Sequence, residues 1–214
     1  LYICATPIGN LGDVSQRLID ILASADVIYS EQPRTTLRLL NRFSISKPLR
    51  SYHEKTYYKA LRELLRGKTV CLVSSAGMPG VADPGRELVR ACYEHGIRVS
   101  VIPGPSALCT ALGYAPFITT PLLFLGFLPR KAKQAERCLN KILTLDVSIC
   151  FFESPRRIRH TLKLISSISP QRELLIIREM TKIHEEVIYI PVGRGLPELP
   201  QIGEYTVLVS KPKG

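Results

Sequence analysis

The sequence has no tryptophan, two methionines and no long uninterrupted apolar run. A membrane-spanning helix needs about 18 to 20 largely apolar residues, so we expect no membrane association. The six cysteines form no CxxC pair and have no histidine at zinc-ligand spacing. We therefore expect free thiols and no metal site. The first residues are typical of a strand and its loop rather than a signal peptide, which predicts a cytoplasmic protein.

Four common functional signatures are also absent from the sequence. A GxxxxGK[ST] loop is missing, which excludes a P-loop NTPase, and no GxGxxG follows an early strand, which excludes the usual dinucleotide site. There is no GxSxG nucleophile elbow. His184-Glu185 begins like the HExxH motif of zinc proteases, but there is no second histidine four residues after the first.

The most informative feature present is a set of loops that follow apolar segments. Residues 71–85 and 101–107 each begin as a short apolar run, break into a glycine- and proline-rich loop and then resume as a helical pattern. Similar loops occupy residues 6–10 and 153–156. Open α/β sheets bind ligands at the carboxyl ends of their strands. These loops predict a small-molecule site, with tight turns of no functional meaning as the alternative for any single loop.

The charge balance points to a second kind of partner. The chain has 29 Lys and Arg against 18 Asp and Glu, a net charge of +11. The excess is concentrated in residues 50–68, 130–141 and 156–163. Basic clusters are often solvated helix faces, but three of them in a basic protein favour a nucleic-acid backbone as partner.

Hydrophobic periodicity predicts two α/β domains. In residues 1–115, apolar runs alternate with helical patterns, which is typical of βαβ units and a mainly parallel sheet. A Pro- and Thr-rich stretch at 116–120 is interpreted as a linker, and residues 121–214 as a second domain. The last two strand patterns are separated by a turn-rich segment, which predicts antiparallel strands and a mixed sheet there. The predicted strands are 2–5, 27–30, 49–52, 69–74, 98–103, 122–127, 147–153, 173–180, 186–192 and 205–210. The predicted helices are 15–24, 35–43, 57–66, 84–95, 105–112, 131–145 and 155–168.

Seven motifs occur in a fixed order along nearly the whole chain. They are ATPIGNLGD (5–13), SYHE (51–54), AGMPGVADPG (76–85), PGPSA (103–107), GFLPRK (126–131), FESPRRI (152–158) and REMTKIHEE (178–186). In these motifs the chain resembles the bacterial ribosomal RNA small-subunit methyltransferase I family, a branch of the tetrapyrrole methylases.

The resemblance implies a fold, a cofactor and a reaction. It implies two α/β domains with S-adenosylmethionine in the cleft between them, a homodimer, and 2′-O-methylation of a cytidine in small-subunit ribosomal RNA. It also implies a further C-terminal segment beyond the position of Gly214. The cofactor-binding residues it assigns are Pro7, Met78, Val81, Asp83, Ser106, Ala107, Phe152, Glu153 and Met180. The substrate-binding residues predicted with it are Asn10, Arg34, Arg130, Lys131 and Arg156.

Methyl transfer to a ribose hydroxyl needs a base that takes the hydroxyl proton. The candidate catalytic residues are Glu31, His53 and Glu54. Taken alone, His53 is equally typical of a surface histidine, and Glu31 with Arg34 of a local salt bridge of little energetic value.

The chain also departs from the family pattern at polar positions. Glu-Gln-Pro-Arg (31–34) stands where the family has Glu-Asp-Thr-Arg, and Ser75 and Met78 replace an aspartate and a threonine. Two alternatives therefore accompany the methyltransferase hypothesis. One is an RNA-binding paralogue with weakened catalysis, and the other is a small-molecule, tetrapyrrole-type methylase, which the basic clusters disfavour.

Overall fold

A computed structural model describes residues 1–212. Its contacts divide the chain into two compact units, Leu1–Ser106 and Ala107–Gly214. The division falls nine residues before the predicted end of the first domain, because the helix that begins at Ala107 packs against the last strand of the second unit.

The first unit contains a five-stranded, wholly parallel sheet in the order β3-β2-β4-β1-β5. The predicted strands and the first four predicted helices are confirmed, and the helix predicted at 105–112 is the first helix of the second unit. The strands are β1 (Tyr2–Cys4), β2 (Val27–Ser30), β3 (Leu49–Ser51), β4 (Val70–Val73) and β5 (Ser100–Ile102). The helices are α1 (Gln16–Ser24), α2 (Pro33–Arg42), α3 (Tyr57–Leu65) and α4 (Arg86–Glu94).

Helices cover both faces of this sheet, as the alternating sequence pattern requires. The apolar residues of α1 and α2, among them Leu18 and Leu40, pack with Ile28 of β2 in one core cluster. The apolar residues of α3 and α4, among them Leu64, pack with Tyr29 in a second cluster. The side chains of neighbouring residues of β2 thus point to opposite faces of the sheet. The helices form a layer on each face, and the ends of the strands are left open.

One acidic side chain of α3 is held by two basic partners. The Glu63 carboxylate, whose side chain is 6% exposed, forms ion pairs with Lys68 at 2.8 Å and with Arg50. Hydrogen bonds from Lys68 and then Arg50 hold the pKa of Glu63 below its usual value. Two members of the first basic cluster therefore serve the fold of this unit.

The second unit contains a five-stranded mixed sheet in the order β6-β7-β10-β8-β9, which confirms the predicted fold class. The strands are β6 (Leu122–Phe127), β7 (Ser148–Glu153), β8 (Leu174–Arg178), β9 (Glu186–Ile190) and β10 (Tyr205–Val209). The helices are α5 (Ala107–Tyr114), α6 (Ala132–Ile142) and α7 (Ile158–Ile168).

The last two strands are antiparallel to their neighbours, as predicted, but they do not pair with each other. β10 lies between β7 and β8, and β9 lies at the edge beside β8. The burial of the two strands agrees with this order: every residue of β10 is buried, whereas β9 is mostly exposed. β10 has a strand on each side and is therefore covered, whereas β9 has a strand on one side and lies at an exposed edge.

The cysteines are free, as expected. Cys4, Cys71, Cys92 and Cys150 are buried, and burial raises the pKa of the Cys150 thiol to about 12. Within residues 1–212, no helix has both the length and the apolar character needed to cross a membrane.

Candidate functional site

The five parallel strands of the first unit end at one edge of the sheet. Ser30, the last residue of β2, is aligned with Ser51 of β3 and with Val73 of β4. Cys4 of β1 is aligned with both Val73 and Ile102. Because the register is flush, the loops after all five strands begin side by side. These are the loops that the sequence singled out.

Two of these loops are joined by hydrogen bonds directly beyond the sheet. The Thr6 N–H donates to the Gly77 carbonyl at 2.9 Å, and the Gly77 N–H donates to the Thr6 carbonyl at 3.0 Å. The hydroxyl of Ser74 donates to the same Gly77 carbonyl at 2.8 Å, and that of Thr6 donates to the Ser74 carbonyl at 3.3 Å. Most polar groups at the start of the 74–85 loop are thus used to fix its shape.

Two glycines allow the close packing of these loops. Gly85 has a φ of +151°, and a Cβ there would lie 3.1 Å from Leu72 Cδ2. A Cβ on Gly104 would lie 3.1 Å from the Cβ of Ala5. A side chain at either position would force the loop away from the strand beneath it.

The polar character of the loops fits a cationic ligand better than an anionic one. Residues 5–10, 74–85 and 103–106 include Asp83 but no Lys or Arg, although the chain as a whole carries a net charge of +11. The hydroxyl of Ser75 is buried and has no hydrogen-bond partner among residues 1–212. Backbone carbonyls, hydroxyls and a carboxylate suit a sulfonium cation, whereas a phosphate would require basic groups or a cradle of N–H donors. The residues present therefore fit S-adenosylmethionine.

The other part of the 74–85 loop lines an apolar groove. Met78 and Val81 border a groove of about 640 Å³ together with Val89 and Tyr93 of α4 and Val101 of β5. Met78 also packs against the core cluster on this face of the sheet. The thioether that replaces a family threonine is therefore accommodated by packing.

Two of the three candidate bases follow neighbouring strand ends. Glu31 is half-buried and comes directly after β2, while His53 is exposed and follows β3 by two residues. The Tyr52 N–H donates to the Ser30 carbonyl at 2.7 Å, which ties these two segments together. The His53 ring lies 3.2 Å from the Ser51 hydroxyl, measured from Nε2. The structure therefore brings Glu31 and His53 to the same part of the edge.

Glu54, the third candidate base, is engaged by the backbone. Its carboxylate accepts hydrogen bonds from the N–H groups of Gly85 and Glu87, both at 2.7 Å. Gly85 is the N-cap residue of α4 and Glu87 lies in its first turn, where N–H groups have no partner within the helix. A carboxylate placed there both caps the helix and complements its dipole. Glu54 thus fixes the end of the 74–85 loop.

The unusual residues after Glu31 are compatible with the start of α2. Pro33 is the first residue of the helix, where its missing N–H and fixed φ cost nothing. Arg34 lies in the first turn and is exposed. Asn10 is exposed as well, and its side-chain oxygen accepts the Gly12 N–H at 2.9 Å, where it caps a short 3₁₀ turn.

The remaining cofactor candidates of the first unit lie on the same loops. Pro7 directly follows the Thr6–Gly77 bridge. The Asp83 carbonyl accepts the Gly80 N–H at 3.2 Å, which closes a turn of the 74–85 loop. Ser106 ends the first unit and Ala107 begins α5 of the second.

In the second unit, the predicted residues gather at one edge of the mixed sheet. Glu153 at the end of β7 and Arg178 at the end of β8 are both aligned with Tyr205 of β10. Phe152 packs edge-on against Phe124 and Phe127, with ring centroids 5.2 and 5.5 Å apart. Met180 is buried just beyond β8.

The side chain of Glu153 is fully engaged. It is 1% exposed and pairs with Arg157 at 2.6 Å, and its other oxygen accepts the Thr161 hydroxyl at 2.8 Å. Arg157 also donates to the carbonyls of Leu128 and Pro129. Only the backbone of Glu153 is therefore available to contact a cofactor.

Arg157 connects the loops that carry the basic substrate candidates. Its bonds to the carbonyls just after β6 bring the loop of Arg130 and Lys131 beside that of Arg156. Arg130, Lys131 and Arg156 are all exposed. Within the third basic cluster, Arg157 thus stabilises the fold, and its exposed neighbour Arg156 remains a candidate for substrate binding.

Sequence reasoning missed two kinds of residue at this site. The contact from Glu54 to α4 joins residues about thirty positions apart, and no local pattern indicates it. The sequence analysis also did not single out Arg38 and Arg42, which follow Arg34 at successive intervals of four residues.

Comparison with known proteins identifies the family. The model for tetrapyrrole (corrin/porphyrin) methylases matches residues 1–194. A Thermotoga maritima protein named ribosomal RNA small subunit methyltransferase I is 42% identical over 98% of this chain and 97% of that protein. The protein of the same name from Halalkalibacterium halodurans is 44% identical over 88% of this chain and 66% of that protein. The relatives differ in length, so the expected further C-terminal segment is not a feature of all of them.

A solved structure shows the same fold. The methyltransferase CobJ aligns with a TM-score of 0.71 at 20% identity, over 98% of this chain and 93% of that chain. The chain belongs to the tetrapyrrole (corrin/porphyrin) methylase family, in its ribosomal RNA small subunit methyltransferase I branch.

Proposed function

We propose that this protein is an S-adenosylmethionine-dependent methyltransferase that methylates the ribose 2′-hydroxyl of a cytidine in small-subunit ribosomal RNA. The observation that carries the proposal is the edge of the first sheet, where loops without basic side chains lie beside Glu31 and His53. The names of its relatives support the RNA substrate.

The loops of the first unit would hold the cofactor. The Thr6–Gly77 bridge keeps the 74–85 loop in place, and Ser75 offers a buried hydroxyl that no group within residues 1–212 uses. Pro7, Met78, Val81, Asp83 and Ser106 lie on these loops, and Ala107, Phe152, Glu153 and Met180 complete the proposed set. When bound, S-adenosylmethionine supplies a methyl group on a positively charged sulfur, which loops free of Lys and Arg tolerate.

The chain's own residues would orient the ribose and remove its proton. We assign the base to Glu31, because its carboxylate lies at a strand end and no described group holds it in a hydrogen bond or ion pair. His53 is the second candidate and would take the proton at an imidazole nitrogen. Glu54, with both oxygens on α4, would position the loop rather than take the proton. A positioned base of this kind contributes about 10² to 10⁴ in rate.

Basic residues would bind the RNA. Arg34 follows Glu31 by three residues, and Arg130, Lys131 and Arg156 lie together on exposed loops of the second unit. Asn10 is a further candidate contact. The family resemblance also supports a cytoplasmic location and a homodimer. Sedimentation of the purified protein tests the homodimer.

Transfer of labelled methyl groups to purified 30S subunits tests the function. We expect incorporation by the wild type, a loss of about 10²-fold or more in Glu31→Gln, and unchanged cofactor affinity by calorimetry. Glu94→Gln, which changes an exposed pair on α4, is the matched control and should retain activity.

The alternatives give different results in the same experiment. Cofactor binding without methyl transfer to 30S subunits would support an RNA-binding paralogue with weakened catalysis. Transfer to a tetrapyrrole but not to RNA would support a small-molecule methylase. If His53→Ala loses activity and Glu31→Gln does not, the base is His53.

A further inference from the structure

Helix α2 presents a row of arginines on its outer face. Arg34, Arg38 and Arg42 are spaced four residues apart and are all exposed. They lie on the side of the helix away from its buried residues Thr36 and Leu40. We call these three arginines the arginine stripe.

The amino-terminal part of the stripe is unfavourable for the helix that carries it. Arg34 lies in the first turn, where a positive charge opposes the helix dipole, and no acidic residue in that turn offsets it. Like charges four residues apart also repel each other along the helix. Arg42 lies in the last turn, where a positive charge is favourable, but the stability of α2 gives no reason for Arg34 or for the repeat of arginines every four residues.

The stripe is also not consumed by internal ion pairs. In the part of the chain that the structure describes, no salt bridge includes any of the three arginines, and α2 contains no acidic residue. The guanidinium of Arg42 lies over the ring of Phe43, 5.7 Å from its centroid. In contrast, Arg50 on the neighbouring strand is paired with Glu63. The stripe is thus available to an outside anion.

The geometry of the stripe suits an extended anion with repeated charges. Successive arginines are about 6 Å apart along the axis, so the stripe is about 12 Å long. Each guanidinium is a planar fork that can bind a phosphate through two N–H groups. The stripe begins three residues after Glu31 and runs away from the strand ends.

We propose that the arginine stripe binds consecutive phosphates of the RNA strand and leads that strand to the edge where Glu31 lies. This inference rests on the proposed function for the identity of the partner. It adds Arg38 and Arg42 to the RNA-binding residues and predicts the direction in which the strand leaves the site.

The test is RNA binding as a function of salt, measured without methyl transfer. Fluorescence anisotropy with a short fluorescein-labelled single-stranded RNA compares the wild type with Arg34→Gln/Arg38→Gln/Arg42→Gln, and a 30S subunit binding assay repeats the comparison. Each phosphate contact to a single strand contributes about 0.7 to the slope of log affinity against log salt, so three contacts contribute about 2. Between about 50 and 200 mM KCl, the triple variant should therefore lose roughly 20-fold less affinity than the wild type does.

Two further variants make the result specific. Arg17→Gln/Arg90→Gln/Arg98→Gln removes the same charge from exposed positions in or beside α1, α4 and β5, outside the three basic clusters, and should keep the wild-type slope. Arg34→Lys/Arg38→Lys/Arg42→Lys keeps the charge and should keep most of the slope. Circular dichroism should show a melting temperature close to that of the wild type for the glutamine variant, because the removal of repulsion offsets the loss of the Arg42 charge in the last turn and of its contact with Phe43.

The inference is overturned if the glutamine variant keeps the wild-type salt slope, or if the control variant loses as much. Either result with methyl transfer intact leaves the proposed function standing. Conversely, a stripe-dependent slope without methyl transfer supports the inference and contradicts the proposed function.

Discussion

Removing the carboxylate of Glu54 should destabilise the first unit, because it removes a helix cap and not the catalytic base. In Glu54→Ala, the Gly85 and Glu87 N–H groups lose acceptors at 2.7 Å. Loss of a helix cap costs about 0.5 to 2 kcal/mol, and loss of a negative charge at a helix N-terminus about 0.3 to 1 kcal/mol. We therefore expect a loss of about 2 kcal/mol. In a unit of this size that lowers the melting temperature by about 9 °C.

The assay is thermal unfolding followed by circular dichroism, with methyl transfer measured well below the transition. Glu54→Gln keeps one carbonyl oxygen and should lose about half as much stability as Glu54→Ala. Glu94→Ala on the same helix breaks only an exposed pair and should change stability by less than about 0.5 kcal/mol. An unchanged melting temperature in Glu54→Ala would refute the capping role. Full stability with activity abolished in Glu54→Gln would instead identify Glu54 as the base.

Three other substitutions test the packing around the two strand edges. Glu63→Gln should lower the free energy of unfolding at neutral pH. The difference from wild type should vanish as the pH falls through the depressed pKa of Glu63, below 4.5, because the carboxylate is charged only above that range. Urea unfolding at several pH values measures this difference. Arg157→Ala leaves the buried Glu153 unpaired and should cost about 3 to 5 kcal/mol in urea unfolding. Gly104→Ala places a methyl group 3.1 Å from Ala5 Cβ, and calorimetry should show weaker S-adenosylmethionine binding, whereas unchanged affinity would mean that this loop is not part of the site.

The fold could be predicted from the sequence because its signals are local. Short apolar runs alternate with amphipathic stretches, and this pattern alone indicates βαβ units with a parallel sheet. The order of the last strands could not be predicted that way. β9 and β10 are consecutive in the chain, yet β10 lies between β7 and β8, and their sequences, EVIYI and YTVLV, are too similar in apolar content to indicate which strand lies at the edge.

The site could be predicted in position but not in the use of each side chain. Loops after parallel strands must meet at one edge, so the grouping of Glu31 and His53 with the 74–85 loop follows from the fold class. The engagement of Glu54 by α4 and of Glu153 by Arg157 depends on contacts between separate segments. A carboxylate in a family motif looks the same in the sequence whether it caps a helix, forms a buried ion pair or takes a proton.

The most direct test of the central claim is nucleoside analysis of RNA from the methyl-transfer reaction. Purified 30S subunits that lack the modification are incubated with the protein and S-adenosylmethionine, and their RNA is digested to nucleosides for mass spectrometry. The account predicts 2′-O-methylcytidine, formed by the wild type and reduced about 10²-fold or more in Glu31→Gln. A product methylated on a base, or the absence of any methylated nucleoside while the cofactor binds, would contradict it.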